Sequence, residues 1–366
     1  MTVFQKNKTF LSLLICLLIG SLYLLTSCSE ESMNRLQQKP VAFGKANHVV
    51  VIADKDVWEG AVGDTFRYYF ASAFLILPQP EPVLDLKHFT PEEIKSDPIR
   101  QELRTYILLG NIEDKHSLTA RLMKENIGDE RIRSAKEDKG YGNLQKKDKW
   151  AKGQLVLFMF GTDQESVLDN IRTSYPGIVK KIQDGDKKII EAAVYGAGEN
   201  RTLSGQVAEK IGLRMRIPNE YFLAMDNPDL LWLRRETSEM SSNLLLHKLP
   251  YKDASQLSYE GFKSLRDSLG KNYIASTVEG SYMQINDQAL PMFVTPTEMN
   301  DLYTLEARGI WELTKDYMGG PFVSYLVHNP TTNELYLLDG FVFAPGKEKR
   351  ELIQYLEYIV GTTTFI

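Results

Sequence analysis

The stretch HVVVIAD at residues 48–54 decides the fold of the first half of the chain. Its apolar run, Val49 to Ala53, is typical of a strand that is buried on both faces of a sheet. Asp54 and Asp56 follow the run, and a helix-like pattern then continues to about Phe74. A buried strand followed by a helix predicts one unit of a largely parallel sheet.

The same order of apolar run and helix recurs through residues 48–195. Helical patterns follow two of the later runs, at residues 118–126 and 165–182. We therefore expect an α/β domain over residues 48–195, with a mostly parallel sheet and flanking helices. Its further strands are expected at residues 83–86, 105–109 and 155–160.

The second half, residues 200–366, has short apolar runs separated by turn residues, with strong turn signals at 226–229 and 329–333. Ser258 precedes a helical pattern, and an amphipathic helix is expected at residues 347–360. These patterns predict an α+β domain with an antiparallel sheet and packed helices. Its strands are expected at residues 213–217, 221–225, 230–234, 243–249, 308–313, 322–328 and 334–343.

The composition narrows the class of protein. The 366 residues include 43 Lys and Arg against 48 Asp and Glu, so the net charge of −5 gives no reason to expect a nucleic-acid partner. An apolar content of 43% excludes a wholly disordered or multi-span membrane chain. Both cysteines lie in the first 28 residues, so stability must come from packed cores and not from a disulfide framework.

The N-terminus resembles the signal peptide of a bacterial lipoprotein. Lys6 and Lys8 supply positive charge, and residues 10–25 are uncharged. This length suits a secretory signal and is short for a helix across a hydrocarbon core of roughly 30 Å. The motif Leu25-Thr26-Ser27-Cys28 resembles a lipobox, with leucine three residues before the cysteine and a small residue directly before it. The alternative is an uncleaved anchor at residues 9–29, in which Cys28 has no role.

The lipobox resemblance implies that residues 1–27 are removed and that Cys28 carries the acyl chains. Residues 28–47 would then be a tether. We expect a protein of the cell envelope, bound to the outer membrane through its N-terminal lipid and facing either the periplasm or the cell surface. The stretch SEES at residues 29–32 resembles the export signal of surface lipoproteins in Bacteroidetes-type bacteria, or is a flexible polar linker.

Residues 309–346 are dense in glycine, proline and aromatic residues, with YMGGPF at 317–322 and DGFVFAPG at 339–346. Here the chain resembles a family of uncharacterised Bacteroidetes-type lipoproteins that is known only as a domain of unknown function. The resemblance extends from about Val49 to the C-terminus. It implies no activity, so no catalytic residue follows from it.

Motifs of known chemistry are absent from the sequence. It has no nucleophile elbow, His-Glu-x-x-His, Walker A or Cys-x-x-Cys motif, and its five histidines are far apart. We therefore expect no cofactor and no metal site. The partial dinucleotide fingerprint at residues 196–201 has Arg201 in place of its third glycine, which favours a turn between domains.

Five residues are candidates for ligand binding. Asp54, Asn111 and Asp163 follow three predicted parallel strands, and ligands of such sheets bind beyond the carboxyl ends of the strands. Gly319 and Gly320 would let the backbone of a partner approach closely. The structural alternatives are helix capping and turn formation for the polar residues, and a turn that enters a strand for the glycines.

The charged stretch at residues 113–152 has more basic than acidic residues. Because both signs are mixed along it, a solvated helix and loop is favoured over a basic patch for an acidic partner.

Three functions fit these observations. The leading hypothesis is a non-catalytic envelope lipoprotein that binds a protein or glycan partner or takes part in assembly. The alternatives are a carboxylate-dependent envelope hydrolase, for example glycoside-cleaving, and a solute-binding lipoprotein. Two nearby carboxyl groups in a deep cleft, one with a raised pKa, would favour the hydrolase, whereas a closed cleft between domains would favour solute binding.

Overall fold

A computed structural model describes residues 39–366 of the chain. The predicted signal peptide and Cys28 lie outside the described residues. Of the helices within this range, none has both the length and the apolar character needed to cross a bilayer.

The first half contains a five-stranded sheet of order β2-β1-β3-β5-β4. All neighbouring strands are parallel except β4, which runs antiparallel to β5 at one edge. The expected α/β class is confirmed. The strands are β1 (His48–Ile52), β2 (Asp85–Phe89), β3 (Thr105–Asn111), β4 (Tyr141–Lys147) and β5 (Leu155–Gly161).

Helices cover both faces of this sheet, which explains the continuous apolar run that identified β1. Val49 and Val51 face one helical layer, and Val50 and Ile52 face the other. The helices are α1 (Lys55–Glu59), α2 (Ala61–Phe70), α3 (Pro91–Ser96), α4 (Leu118–Ile127), α5 (Asp129–Asp138) and α6 (Gln164–Val194).

Three elements differ from the sequence-based expectations. Strand β2 begins at Asp85 rather than residue 83, and the charged stretch contains the edge strand β4 as well as helices. Helix α6 continues to Val194, twelve residues past its expected end at 182. The helix continues because Ile190 and Val194 have apolar surface to bury against the second half of the chain.

The second half is an antiparallel half-barrel of order β10-β12-β13-β14-β9-β8-β7, with β11 also paired to β12. The expected antiparallel sheet is confirmed, although the first expected strand is reduced to two residues. These residues pair with Thr364–Phe365 in a separate two-stranded sheet outside the half-barrel. The strands are β6 (Leu213–Arg214), β7 (Phe222–Asn227), β8 (Leu230–Glu236), β9 (Ser241–Pro250), β10 (Met283–Ile285), β11 (Phe293–Met299), β12 (Leu302–Leu313), β13 (Gly319–Asn329), β14 (Glu334–Phe343) and β15 (Thr364–Phe365).

Helices also pack on both faces of the half-barrel. Phe262 and Leu269 of one helix face Leu337 and Phe341 of the sheet. The opposite face forms a core with two other helices and with the end of α6, so α6 belongs to both halves. These helices are α7 (Arg201–Ile211), α8 (Tyr259–Tyr273) and α9 (Arg350–Val360).

Gly320 provides a test of packing in the half-barrel. A Cβ atom at this position would lie 2.0 Å from the carbonyl oxygen of Val342, which accepts a hydrogen bond from Trp311 Nε1. We expect Gly320→Ala to lower the free energy of unfolding by about 1–3 kcal/mol, because β-strand backbone must shift. Urea denaturation measures the change.

Gly205 is the matched control. It is exposed within α7, and a Cβ there would have no heavy atom within 4 Å. Gly205→Ala is expected to raise the free energy of unfolding by about 0.5–1 kcal/mol, because alanine has the higher helix propensity. Equal effects of the two substitutions would contradict the packing at Gly320.

Candidate functional site

A cleft of about 900 Å³ lies between the two halves of the molecule. One wall consists of α2, the segment of residues 72–83 and α6, and the other of β11, β12 and α9. Residues from distant parts of the sequence therefore line one cavity, and this cleft is the candidate functional site.

Arg308 is the central charged group of the cleft. Its Nε lies 2.5 Å from Glu306 Oε1 and its Nη1 lies 2.5 Å from Glu357 Oε1, so one guanidinium holds two carboxylates. Burial raises the pKa of Glu357; Arg308 opposes this shift and Glu306 adds to it. The side chain of Glu357 is only 23% exposed. This cluster can donate hydrogen bonds to a polar ligand, and Glu357 can hold a proton at higher pH than an ordinary glutamate.

Aromatic rings line the cleft on both sides. The ring centroids of Tyr69 and Tyr175 are 4.9 Å apart on the first wall. Phe74 lies 5.9 Å from the guanidinium of Arg308, and Phe293 of β11 is 44% exposed. Exposed or half-buried rings around a polar centre suit a ligand with both apolar faces and hydrogen-bonding edges.

The charges in the cleft balance. Besides Arg308, its positive side chains are Lys180 and Lys187 of α6. The negative side chains are Asp184, Glu306 and Glu357. Three cations against three carboxylates give no net field that would select a strongly charged ligand.

Buried polar contacts fix the two halves to one another beside the cleft. The side-chain amides of Asn47 and Gln354 exchange hydrogen bonds of 2.8 and 3.0 Å. Within the first half, the backbone N–H of Asn47 donates to Asp186 of α6 at 2.7 Å, and Arg104 forms an ion pair with the same carboxylate, which holds Asn47 in place. Burial raises the pKa of Asp186 despite these contacts.

The first half also caps a helix of the second. The carboxylate of Glu81 accepts hydrogen bonds from the backbone N–H groups of Lys349 and Arg350 at the start of α9. Arg350 in turn contacts Asp85 at 2.6 Å. Because α9 carries Glu357, these contacts determine where that carboxyl lies in the cleft.

Asp54, a predicted ligand residue, forms hydrogen bonds within the fold. Its carboxylate accepts hydrogen bonds from the backbone of Leu118 and Thr119 and from the hydroxyl of Ser117. It therefore caps α4, across the sheet edge. It makes no side-chain capping bond to α1, the helix that follows it directly.

The side chains of Asn111 and Asp163 also accept hydrogen bonds, from residues nearby in the sequence. Asn111 accepts from the backbone of Glu113 in a turn, and Asp163 forms a capping box with Ser166 at the start of α6. Together with Asp54 they lie at or just after the carboxyl ends of adjacent parallel strands, as expected, but none of the three lines the cleft. Ligand binding by them stays a prediction.

The two candidate glycines lie inside the sheet. Gly319 and Gly320 are the first residues of β13, and Gly320 is buried. Because Gly320 has no side chain, the backbone of Val342 can approach it closely. The prediction expected such an approach from the backbone of a partner, whereas Val342 belongs to the same chain. The fingerprint-like residues 196–201 lead into α7, which is capped by Asn200.

Sequence reasoning missed Glu306 and Arg308 as site residues. The predicted strand began at 308, so the pair was not recognised as two charges on one strand face. Residues two apart in a strand point to the same side, so a Glu and an Arg two positions apart in a strand were the available signal. Nothing local marks Glu357, since its partner lies on another element. Within residues 39–366, no group of three His, Cys, Asp or Glu side chains is arranged to hold a metal ion.

The solved structures include two that resemble part of the chain weakly. The Ran-binding protein Mog1p of Saccharomyces cerevisiae is 9% identical over 42% of this chain and 90% of its own, with a TM-score of 0.29. A single-residue mutant of protein Mog1 is 10% identical over 42% and 91% of the two chains, with a TM-score of 0.28. Such low scores carry no conclusion about this chain.

Family models match most of the described chain. No curated protein matches it. Two models of domains of unknown function match, one for each half, which is consistent with the expected resemblance to an uncharacterised family. Residues 42–194 match the domain of unknown function DUF8532, and residues 200–362 match the domain of unknown function DUF4837.

Proposed function

We propose that the protein is a lipid-anchored envelope protein that binds a neutral glycan in the cleft between its halves. The anchor is supported by the sequence alone, through the uncharged stretch at residues 10–25 and the motif that ends at Cys28. The rest of the proposal depends on the cleft.

The anchor is tested by Cys28→Ser. Loss of the thiol should abolish acylation and leave an unprocessed form, which mass spectrometry of the N-terminal peptide detects. Normal processing and membrane retention of this variant would contradict the assignment. Protease added to intact cells then separates the two expected orientations, since only a surface-facing protein is digested.

The single observation that carries the glycan proposal is the combination of aromatic walls with balanced charge. Sugars present apolar ring faces, which stack on aromatic side chains, and hydroxyl groups, which bond to carboxylates and guanidinium groups. Tyr69, Tyr175 and Phe293 offer the ring surfaces, and the Arg308 cluster offers the polar partners. A charged ligand would have no net attraction to this cleft.

Calorimetric titration with neutral oligosaccharides, including chitotriose and maltotriose, tests the proposal. Tyr175→Ala should weaken binding at least about tenfold by removing a stacking surface. Tyr303→Ala is the control, because Tyr303 is 45% exposed and lies outside the cleft lining. Failure of every oligosaccharide to bind, or equal losses in both variants, would contradict a glycan ligand.

Solute capture by closure of the two halves is less well supported. Such closure needs a hinge, but the Asn47–Gln354 amide pair and the capping of α9 by Glu81 join the halves through buried hydrogen bonds. Breaking them in each opening cycle would leave buried polar groups unpaired.

One observation favours the hydrolase as a second candidate. Glu357 has a raised pKa and shares Arg308 with Glu306, which resembles the acid and carboxylate pair of glycoside hydrolysis. Glu357→Gln distinguishes the two functions. Oligosaccharide binding without turnover in both wild type and variant supports binding alone, whereas turnover that is lost in the variant supports the hydrolase.

A further inference from the structure

The described chain begins with an extended segment, residues 39–45, that lies along the first half. Val41 and Phe43 form isolated parallel β-bridges with Lys152 and Leu103. Alternate side chains of an extended segment point to the same side. Lys39, Val41, Phe43 and Lys45 are all exposed, and Val41 and Phe43 are 74% and 47% exposed.

More lysines surround this segment. They are Lys146 and Lys147 at the end of β4, and Lys149 and Lys152 in the loop that follows. The backbone of Lys152 bonds to Pro40 and Ala42, which places the loop directly beside the segment. We call the segment and these four lysines the tether face.

Among the described residues, the lysines of the tether face form no ion pairs, and the loop between Lys146 and Lys152 holds one acidic residue, Asp148. Its six lysines are Lys39, Lys45, Lys146, Lys147, Lys149 and Lys152, and none has a carboxylate oxygen within 4 Å among residues 39–366. The lysine ammonium of residue 39 instead contacts backbone oxygens of Asp148 and Lys149. Burial and the nearby charge of Lys146 lower the pKa of Lys149; Glu125 opposes this shift and Lys39 adds to it.

This concentration of positive charge contrasts with the whole chain, which carries a net charge of −5. On a chain of net negative charge, a cluster of lysines is a part of the surface that an anionic surface attracts. For residues 113–152 the sequence favoured a solvated helix and loop of mixed charge over a basic patch. The surplus of basic residues in this stretch falls in residues 146–152, beside the start of the described chain.

We propose that the tether face lies on the anionic headgroups of the phospholipid membrane that carries the anchor. This inference rests on the lipid anchor of the proposed function. Lys39 follows Cys28 by eleven positions, so the face is at most about 40 Å of extended chain from the acyl chains. The lysines contact headgroup phosphates, and Val41 and Phe43 enter the interfacial region.

The test uses a soluble chain from Ser29 to Ile366, which lacks the acylated cysteine and keeps every described residue. Its partition is measured into vesicles with 30% phosphatidylglycerol and into vesicles of phosphatidylcholine alone. The patch variant is Lys39→Glu, Lys147→Glu and Lys152→Glu. The control variant carries the same charge change at three exposed lysines elsewhere, Lys188→Glu, Lys252→Glu and Lys271→Glu.

We expect wild type and control to bind the anionic vesicles and the patch variant to bind them at least about 100-fold more weakly. Binding should weaken as salt is added. Equal binding to both vesicle types, or equal losses in patch and control variants, would overturn the inference. Circular dichroism confirms that the variants are folded. Because this chain has no Cys28, failure of the lipid anchor cannot produce either result.

Discussion

Replacing Asp339 by alanine is expected to lower the free energy of unfolding by about 3–5 kcal/mol. Asp339 and Arg266 form an ion pair of 3.0 Å inside the half-barrel, where their side chains are 0% and 1% exposed. Ser324 donates a further hydrogen bond to Asp339, and the guanidinium lies 3.8 Å from the ring centroid of Phe322. Without the carboxylate, Arg266 would remain as an unpaired charge in an apolar core.

The double variant Arg266→Met, Asp339→Leu is the control. Arg266 Nη1 and Nη2 have no hydrogen-bond partner within the described residues, so the pair does not recover its full desolvation free energy. We expect the double variant to be close to wild type in stability and far more stable than Asp339→Ala. Urea denaturation measures both, and a double variant as unstable as the single one would contradict this account.

Arg308→Met is expected to lower the free energy of unfolding by about 3 kcal/mol at neutral pH. The substitution leaves Glu306 and Glu357 close together in the cleft without their cation. The loss should be smaller at acid pH, for a reason that follows from the pKa of Glu357. A carboxyl whose pKa is raised in the folded state stabilises the fold below its unfolded value and loses this contribution as the pH rises through the folded value.

Burial already raises the pKa of Glu357 above 4.5, and Arg308 opposes the shift. Removing Arg308 raises the pKa further, so the deficit of the variant should shrink as the pH falls from about 7.5 to about 4.5. Arg216→Met is the control, since Arg216 contacts Glu191 and Glu199 in an exposed ion-pair cluster and should contribute little. A deficit that is constant with pH would contradict the coupling of Arg308 to Glu357.

The polar residues at the strand ends show which contacts local sequence patterns can predict and which they cannot. The pattern predicted that Asp54 follows a strand and could cap a helix. It did not identify the helix, because the backbone groups that Asp54 accepts from are 64 and 65 positions away. The capping box of Asp163 with Ser166 spans three positions, so capping there could be anticipated from the sequence.

The sequence by itself determined the class of each half and the candidate lipid anchor. Strand and helix periodicities report burial within a few residues, and the lipobox is a contiguous motif. The tertiary structure decided the cleft, the pairing of Arg266 with Asp339, and the join between the halves. Asn47 and Gln354 are 307 positions apart, and Arg266 and Asp339 are 73 apart. Such contacts depend on how the helices and sheets pack in space, which the local patterns of a single sequence do not encode.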